Sequence, residues 1–462
     1  MALVPLLVGA HGTDARRGFR LGFLFGIGFF GMLIYWFSIV GWIAWALAVG
    51  LESLFTGLFG AAWAVTSRWM RGMAIVPSGA ALWVALEYVR SRIPFGGFTW
   101  GELAQSQHNL PWMLRSASIA GAWGTAFLIV SAACCLVCAL AARYPQPRRA
   151  AAYVIAAAAF VALPLLAPQR AATGRALRVA IVQGNVPRSF TGGTIAKEKE
   201  IIRSHIRLTR QLAAQHPDLV VWPESAVGID LRTSPGVAAA VESAARAVHA
   251  PMIVGGDLDI DAAHYKVVAF LISPRGIIDD VYQKTHLVPF GEYVPGRKLL
   301  GWIPLLNQIP QDAVPAKHGK LFSVDGAKVA PVLSFEGDFG SLVRSRIHAG
   351  GRLLVVATNT STWGTTRASA QHVAMSQVRA AENGVWVVHA ALSGISAFIA
   401  PDGTVVRSTP LWKATSIVQK VRFARSISFY ARTGDWLPIL CLIASLAMVV
   451  VGITRSRIAA RE

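Results

Sequence analysis

Three short apolar runs each end on a residue that can do chemistry. Val220-Val221-Trp222-Pro223-Glu224 ends on a carboxylate, Tyr282-Gln283-Lys284 on an ammonium, and Pro331-Val332-Leu333-Ser334 on a hydroxyl. That trio can do acyl transfer: an acceptor for a proton, a cation for a developing oxyanion, and an atom that attacks a carbonyl. Each residue alone also has a plainer explanation. A Glu after proline commonly forms a turn or caps a helix, a lysine behind a strand usually meets solvent, and a serine at a strand end usually bonds its own turn.

The elements that must carry these tips alternate between strand and helix. Strands are expected at Leu177–Gln183, Leu219–Trp222, Met252–Gly255, Val329–Leu333, Leu353–Thr358, Val385–Ala390 and Ser396–Ala400. Val267–Ser273 and Ile277–Gln283 flank Pro274-Arg275-Gly276 as a hairpin. Helices are expected over Ala196–Ala214, where Ile201, His205, Leu208 and Leu212 fall near helical spacing, and over Pro235–His249 and Arg367–Asn383.

The rest of the chain is of another kind. Of its 462 residues 54% are hydrophobic and only 15% charged, with mean hydropathy +0.48; soluble domains are about a quarter charged. Apolar stretches at Phe19–Val40, Ala44–Thr66, Ala74–Val89, Ser116–Ala142, Ala150–Leu166 and Leu437–Ile453 read as membrane spans, while Met1–Ala10 is too short to cross, since a span needs about 20 residues. The division expected is a helical membrane bundle over residues 1–168, a soluble domain over 169–435, and a last span with a basic tail over 436–462. Arg16/Arg17/Arg20, Arg68/Arg71, Arg143/Arg148/Arg149 and Arg455/Arg457/Arg461 fall at alternate span ends and so lie on one side. The positive-inside rule makes that side cytoplasmic and puts the soluble domain outside. Arg90 and Arg92 break the pattern and are candidates for function; the Trp-rich loop Ser91–Met113 suits a headgroup zone. Nothing at the N-terminus reads as a cleavable signal peptide.

Net charge +20 invites a nucleic-acid partner, but the arginines are spread among apolar helices, loops and tail, where topology and anionic lipid explain them. Nucleic acid is therefore set aside. Cys134, Cys135, Cys138 and Cys441 all lie in apolar spans, so the soluble domain has no disulfide, no Cys-ligated metal and no thiol nucleophile.

The order Trp222-Pro223-Glu224-Ser225, then Lys284-Thr285-His286-Leu287-Val288-Pro289-Phe290-Gly291-Glu292-Tyr293-Val294-Pro295, then a strand ending in Ser334-Phe335-Glu336 resembles the Glu-Lys-Cys signature of the nitrilase superfamily. More narrowly it resembles bacterial apolipoprotein N-acyltransferases. Glu87-Tyr88-Val89-Arg90, Phe98-Thr99-Trp100, the stretch from Asn359 to Gly364, Gln371-His372, Arg379-Ala380-Ala381-Glu382 and Tyr430 to Trp436 extend the likeness over nearly the whole chain. The resemblance implies an α-β-β-α sandwich held among membrane helices. It assigns Glu224 as general base, Lys284 to the oxyanion, and position 334 to the acyl-enzyme. Glu292 would place Lys284 and balance its charge, and Glu336 would support the pocket. Substrate contacts fall at Trp363, Trp100, Phe335 and Asn359, with Trp363 lining an acyl-chain pocket.

It also implies a phospholipid acyl donor, a diacylglyceryl lipoprotein acceptor, membrane lipid contacts, a monomer in the inner (cytoplasmic) membrane, and neither metal nor soluble cofactor.

The departure is Ser334, where the resemblance implies cysteine. A hydroxyl is much harder to deprotonate than a thiol of pKa near 8.5. Three alternatives stay open: a serine-using acyltransferase, a member that has lost catalysis and binds lipid or lipopeptide in the same pocket, or a Cys→Ser replacement that traps substrate. An amidase acting on envelope amides is a further option, and His286 offers a Ser–His pairing. Lys266, Gly192 and Phe335 also depart from the family pattern, which favours natural divergence over a single replacement.

Overall fold

The computed structural model describes residues 2–142, 144, 146–169, 171–187 and 193–459. Met1, Arg143, Gly192 and Arg461, used above, lie outside them. The chain divides into two units, Met1–Gln169 with Thr433–Glu462, and Arg170–Arg432.

In the helical unit, Trp42–Ser67, Gly72–Arg90, Ala117–Ala142, Pro147–Leu166 and Trp436–Arg455 are long and apolar enough to cross a bilayer, among the described residues. The expected first span, Phe19–Val40, needs correcting. Its helix runs Ala15–Leu33 and gives way to a 3-10 turn at Tyr35–Ile39. Consecutive aromatic rings at Tyr35, Trp36 and Phe37 lose rotamer freedom in a helix, and Gly41 then takes φ +145° before the next helix begins. Ala15–Leu33 presents Gly18, Gly22 and Gly26 to Trp42–Ser67. A Cβ on Gly22 would stand 2.1 Å from the Thr56 carbonyl oxygen. Small residues four apart let the two backbones close in this way.

Arg90 is held inside the helical unit. It is buried, pairs with Glu52 at 3.0 Å, and donates to the carbonyls of Phe98 (3.1 Å) and Trp100 (2.7 Å). Arg92 pairs with Asp435 at 2.7 Å and lies over the Tyr88 ring. The loop that follows is folded in at Thr99, Trp100 and Glu102, all buried.

The second unit has two sheets. β1 (Ala176–Gln183), β2 (Leu219–Val221), β3 (Met252–Asp259), β4 (His264–Ile272), β5 (Ile278–Gln283) and the short β6 (Asp312–Ala313) belong to the first. β7 (Phe322–Val324), β8 (Ala327–Leu333), β9 (Leu353–Thr358), β10 (Val387–Ala391), β11 (Ala397–Ile399) and β12 (Val405–Ser408) form the second, and β13 (Thr415–Arg422) returns to the first. The orders are β13-β1-β2-β3-β4-β5, with β6 on β4, and β12-β11-β10-β9-β8-β7.

Alternation of side chains sets the layers. Leu177, Val179 and Ile181 of β1 face Val329, Leu333, Val355 and Phe398 of the other sheet in one core. Ala180 and Val182 turn outward, to Ile202 and Ile206 of the helix Thr194–Gln211 and Val241 of Pro235–Val248. On the far side Val332, Leu354 and Val387 meet Val343 and Ile347 of Gly340–His348 and Val373 of Ala368–Asn383. The result is the expected four-layer α-β-β-α sandwich. Its central strands, covered on both faces, read as unbroken apolar runs for that reason.

Candidate active site

Each of the three tips leaves the C-terminal end of its strand. After β2 the chain turns through Trp222-Pro223-Glu224, and Ser225 takes φ +55°. The turn lies so close to β3 that a Cβ on Gly255 would stand 2.3 Å from the Pro223 carbonyl oxygen. Trp222 faces the helix layer and donates from Nε1 to Thr209 Oγ1 at 2.8 Å.

Lys284 follows β5, is fully buried, and extends the pairing by donating its N–H to the Val267 carbonyl. Its Nζ lies 2.9 Å from Glu224 Oε1 and 2.5 Å from Glu292 Oε1. Glu292 takes the Val288 N–H on its other oxygen at 2.9 Å, so it closes the Leu287–Tyr293 loop and fixes the lysine together. Burial alone would lower the Lys284 pKa. The carboxylates of Glu224 and Glu292 more than offset it, and the net shift is upward. Two of the three ammonium protons meet carboxylates.

Ser334 opens the 3-10 turn Ser334–Asp338 behind β8, with φ +46°. A left-handed backbone at a residue with a Cβ costs about 1–2 kcal/mol and is typical of side chains aimed into a site. Its hydroxyl lies 3.1 Å from Thr358 Oγ1. Glu224 is buried, and its other oxygen accepts from the Asn359 N–H at 3.1 Å. Burial raises the Glu224 pKa, partly countered by Lys284. A carboxyl so placed holds a proton more firmly than a solvent-exposed one, which suits general base and acid work in turn.

Glu336 is fully buried and ties the Ser334 turn to the loop after Lys284. Oε2 accepts from Tyr282 Oη (2.7 Å) and Leu333 N (2.8 Å). Oε1 accepts from Thr285 N (2.8 Å), Thr285 Oγ1 (2.6 Å) and His286 N (3.2 Å).

The structure thus brings Glu224, Lys284, Ser334, Glu292 and Glu336 together, with the Asn359 backbone against Glu224. The Asn359 side chain braces the next turn, accepting from Ser361 N (3.1 Å) and Oγ (2.6 Å). Trp363 is half-buried at the end of that turn. Phe335 is buried in an aromatic cluster, 5.6 Å from the His286 ring and 4.8 Å from that of Phe339. Trp100 belongs to the helical unit, stacked on Phe98 at 5.6 Å and tilted against Trp36 at 5.4 Å. His286 packs on Phe335 and Phe339, and Thr358, not His286, touches Ser334 Oγ. Thr358 escaped the sequence reading because the last residue of a strand gives no sign of its neighbour's register. Tyr282 and Thr285, the partners of Glu336, were hidden in the same way.

Residues 1–135 match the apolipoprotein N-acyltransferase N-terminal domain family, and 178–429 the carbon-nitrogen hydrolase family. The chain is 32% identical to an apolipoprotein N-acyltransferase of Geobacter metallireducens over 99% of its own length and 91% of the relative's. It is 28% identical to one of Gloeobacter violaceus over 97% and 88%. Among solved structures an amidase from a Nesterenkonia species matches with TM-score 0.43 and 16% identity, over 55% of this chain and 93% of that one.

Proposed function

The chain belongs to the apolipoprotein N-acyltransferase family, a membrane branch of the carbon–nitrogen hydrolases, and from that premise we propose that it works through an acyl ester on Ser334. The acyl chain comes from a phospholipid and passes to the α-amino group of a diacylglyceryl-cysteine lipoprotein. The observation that carries this is that Lys284 Nζ and the Asn359 N–H both meet the Glu224 carboxylate, while Ser334 Oγ meets Thr358, the residue before Asn359. Ser334 Oγ attacks the ester carbonyl as Glu224 takes its proton, and the tetrahedral oxyanion forms against the Lys284 ammonium. Collapse breaks the bond to the lysophospholipid oxygen, which leaves with the proton from Glu224. The acceptor amine then attacks the Ser334 ester. Glu224 takes an amine proton and returns it to Ser334 as the amide forms. Trp363 and Asn359 are the substrate contacts favoured in this unit, with Phe335 behind the nucleophile and Trp100 a contact within the helical unit.

The protein sits in the cytoplasmic membrane with this domain on the outer side, a reading supported by the basic clusters at alternate span ends. The test is transfer of labelled acyl chain from phospholipid to a diacylglyceryl peptide by reconstituted protein. The parent and Ser334→Cys are expected to transfer label, while Ser334→Ala and Glu224→Gln are not. Transfer by Ser334→Ala at the parent's rate would remove the acyl-enzyme from position 334.

A further inference from the structure

Ser334 has a second chain of contacts, on the side away from Lys284. Its Oγ lies 3.1 Å from Thr358 Oγ1, Thr358 Oγ1 lies 3.2 Å from His372 Nδ1, and His372 Nε2 lies 3.0 Å from Asp338 Oδ1. Thr358 and Asp338 have no exposed surface and His372 is 2% exposed, so water cannot replace these contacts. Three elements supply them. Ser334 and Thr358 end the neighbouring parallel strands β8 and β9, whose last pair is Leu333 with Ala357. His372 comes from the helix packed outside that sheet, and Asp338 is the last residue of the turn that Ser334 opens. The chain of contacts leaves the turn at its first residue and returns at its last.

From this geometry we propose that Thr358, oriented by the His372–Asp338 pair, donates its hydroxyl proton to Ser334 Oγ and stabilises the serine alkoxide as it forms. The inference rests on the reading of Ser334 as the acylated residue. The direction of donation follows from what each group can do. Asp338 as a carboxylate only accepts, so His372 Nε2 carries a proton toward it. With His372 as the imidazolium that pairs with the buried Asp338 carboxylate, Nδ1–H donates to Thr358 Oγ1 and the threonine O–H is aimed at Ser334 Oγ. Burial would by itself lower the His372 pKa, but the Asp338 carboxylate outweighs it and the net shift is upward. The neighbouring His389, 5.0 Å away ring to ring and bonded to Ser376, is held neutral by burial and by His372.

A serine needs this donor where a thiol does not. Glu224 can take the proton, but the oxygen it leaves is a far stronger base than a thiolate. A fixed donor to that oxygen acts in the transition state more than in the ground state, which is the kind of contact that raises turnover. Thr358 and Ser334 thereby form one catalytic unit, and His372 and Asp338 are positioning residues.

The test is a cycle of variants in the full-length reconstituted protein, scored by label transfer under saturating donor. Thr358→Val keeps the shape and removes the hydroxyl. Its turnover should fall on the order of 100-fold with little change in KM, since single oxyanion donors are worth about that factor. Thr358→Ser should restore most of it. In the Ser334→Cys background the same Thr358→Val change should cost at least tenfold less. His372→Asn and Asp338→Asn should follow Thr358→Val in sign, and their losses should likewise shrink with cysteine at 334. Equal losses in the serine and cysteine backgrounds would mean that Thr358 only packs, and would overturn the inference. So would full activity of Thr358→Val while Ser334→Ala is dead. Activity in Ser334→Ala would instead overturn the acyl-enzyme reading itself.

Discussion

Replacing Lys284 by methionine separates the two things the lysine does. Its ammonium is fully buried, 2.9 Å from Glu224 and 2.5 Å from Glu292. Methionine has nearly the same length and no charge, so the packing stays and two carboxylates are left facing each other without a cation. Breaking a buried ion pair by removing one partner costs about 3–5 kcal/mol. For a unit of this size that lowers the melting temperature by on the order of 10 °C. Loss of the oxyanion donor should independently lower turnover by at least about 100-fold. The triple variant Lys284→Met, Glu224→Gln, Glu292→Gln removes the stranded charges and should recover most of the lost thermal stability, yet none of the activity. Thermal unfolding in detergent and acyl transfer, measured on the parent, the single and the triple, give the two answers separately. A single variant that melts with the parent would refute the buried triad. A variant that keeps more than a tenth of the parent's turnover would refute the oxyanion role.

Asp257, near this cluster, has its carboxyl pushed up to about 8, first by burial and then by the carboxylates of Glu224, Glu292 and Glu198. An unfolded Asp titrates near 3.9. Between those values the folded chain keeps a proton that the unfolded chain has released, so this residue makes stability fall as pH rises from about 4 to about 8, and adds no slope above that. Asp257→Asn should therefore gain in melting temperature over the parent progressively from pH 5 to pH 8; a difference that does not change with pH counts against the shift. For orientation, Lys420 is exposed on β13, while Cys134, Cys135 and Cys441 are buried and Cys138 half-buried in the helical unit. A cysteine introduced by Lys420→Cys should react with an impermeant maleimide on intact spheroplasts; labelling only after permeabilisation would put the domain in the cytosol.

What the sequence disclosed and what it hid divide along a physical line. Strands covered on both faces are uniformly apolar, and Leu353–Thr358 was bounded to the residue. The edge strands Phe322–Val324, Val405–Ser408 and Thr415–Arg422 were not read at all. Each is short or mixes exposed polar residues with its apolar ones, and so lacks a clear period. Gly340–His348 was missed as well, since it opens on glycine and carries only two fully buried apolar residues. The first membrane span was drawn too long because hydropathy continues through Tyr35–Ile39 while the helix does not.

The same line runs through the site. Glu224, Lys284 and Ser334 were visible because each ends an apolar run, and Glu292 and Glu336 because they stand near those ends in a recognisable pattern. Thr358, His372 and Asp338 carry no such mark. Thr358 reaches Ser334 only because β8 and β9 pair in parallel with Leu333 opposite Ala357. A shift of one residue would turn Thr358 to the other face of the sheet, and the serine would lose its neighbour with no change in composition. His372 likewise depends on how Ala368–Asn383 is rotated against that sheet, which a helical period sets only to within a residue or so. Register and rotation are tertiary quantities, fixed by how Val332, Val356 and Val373 interdigitate. A substitution in that apolar layer can therefore move the Thr358 hydroxyl off Ser334 Oγ while Glu224, Lys284 and Ser334 keep their places.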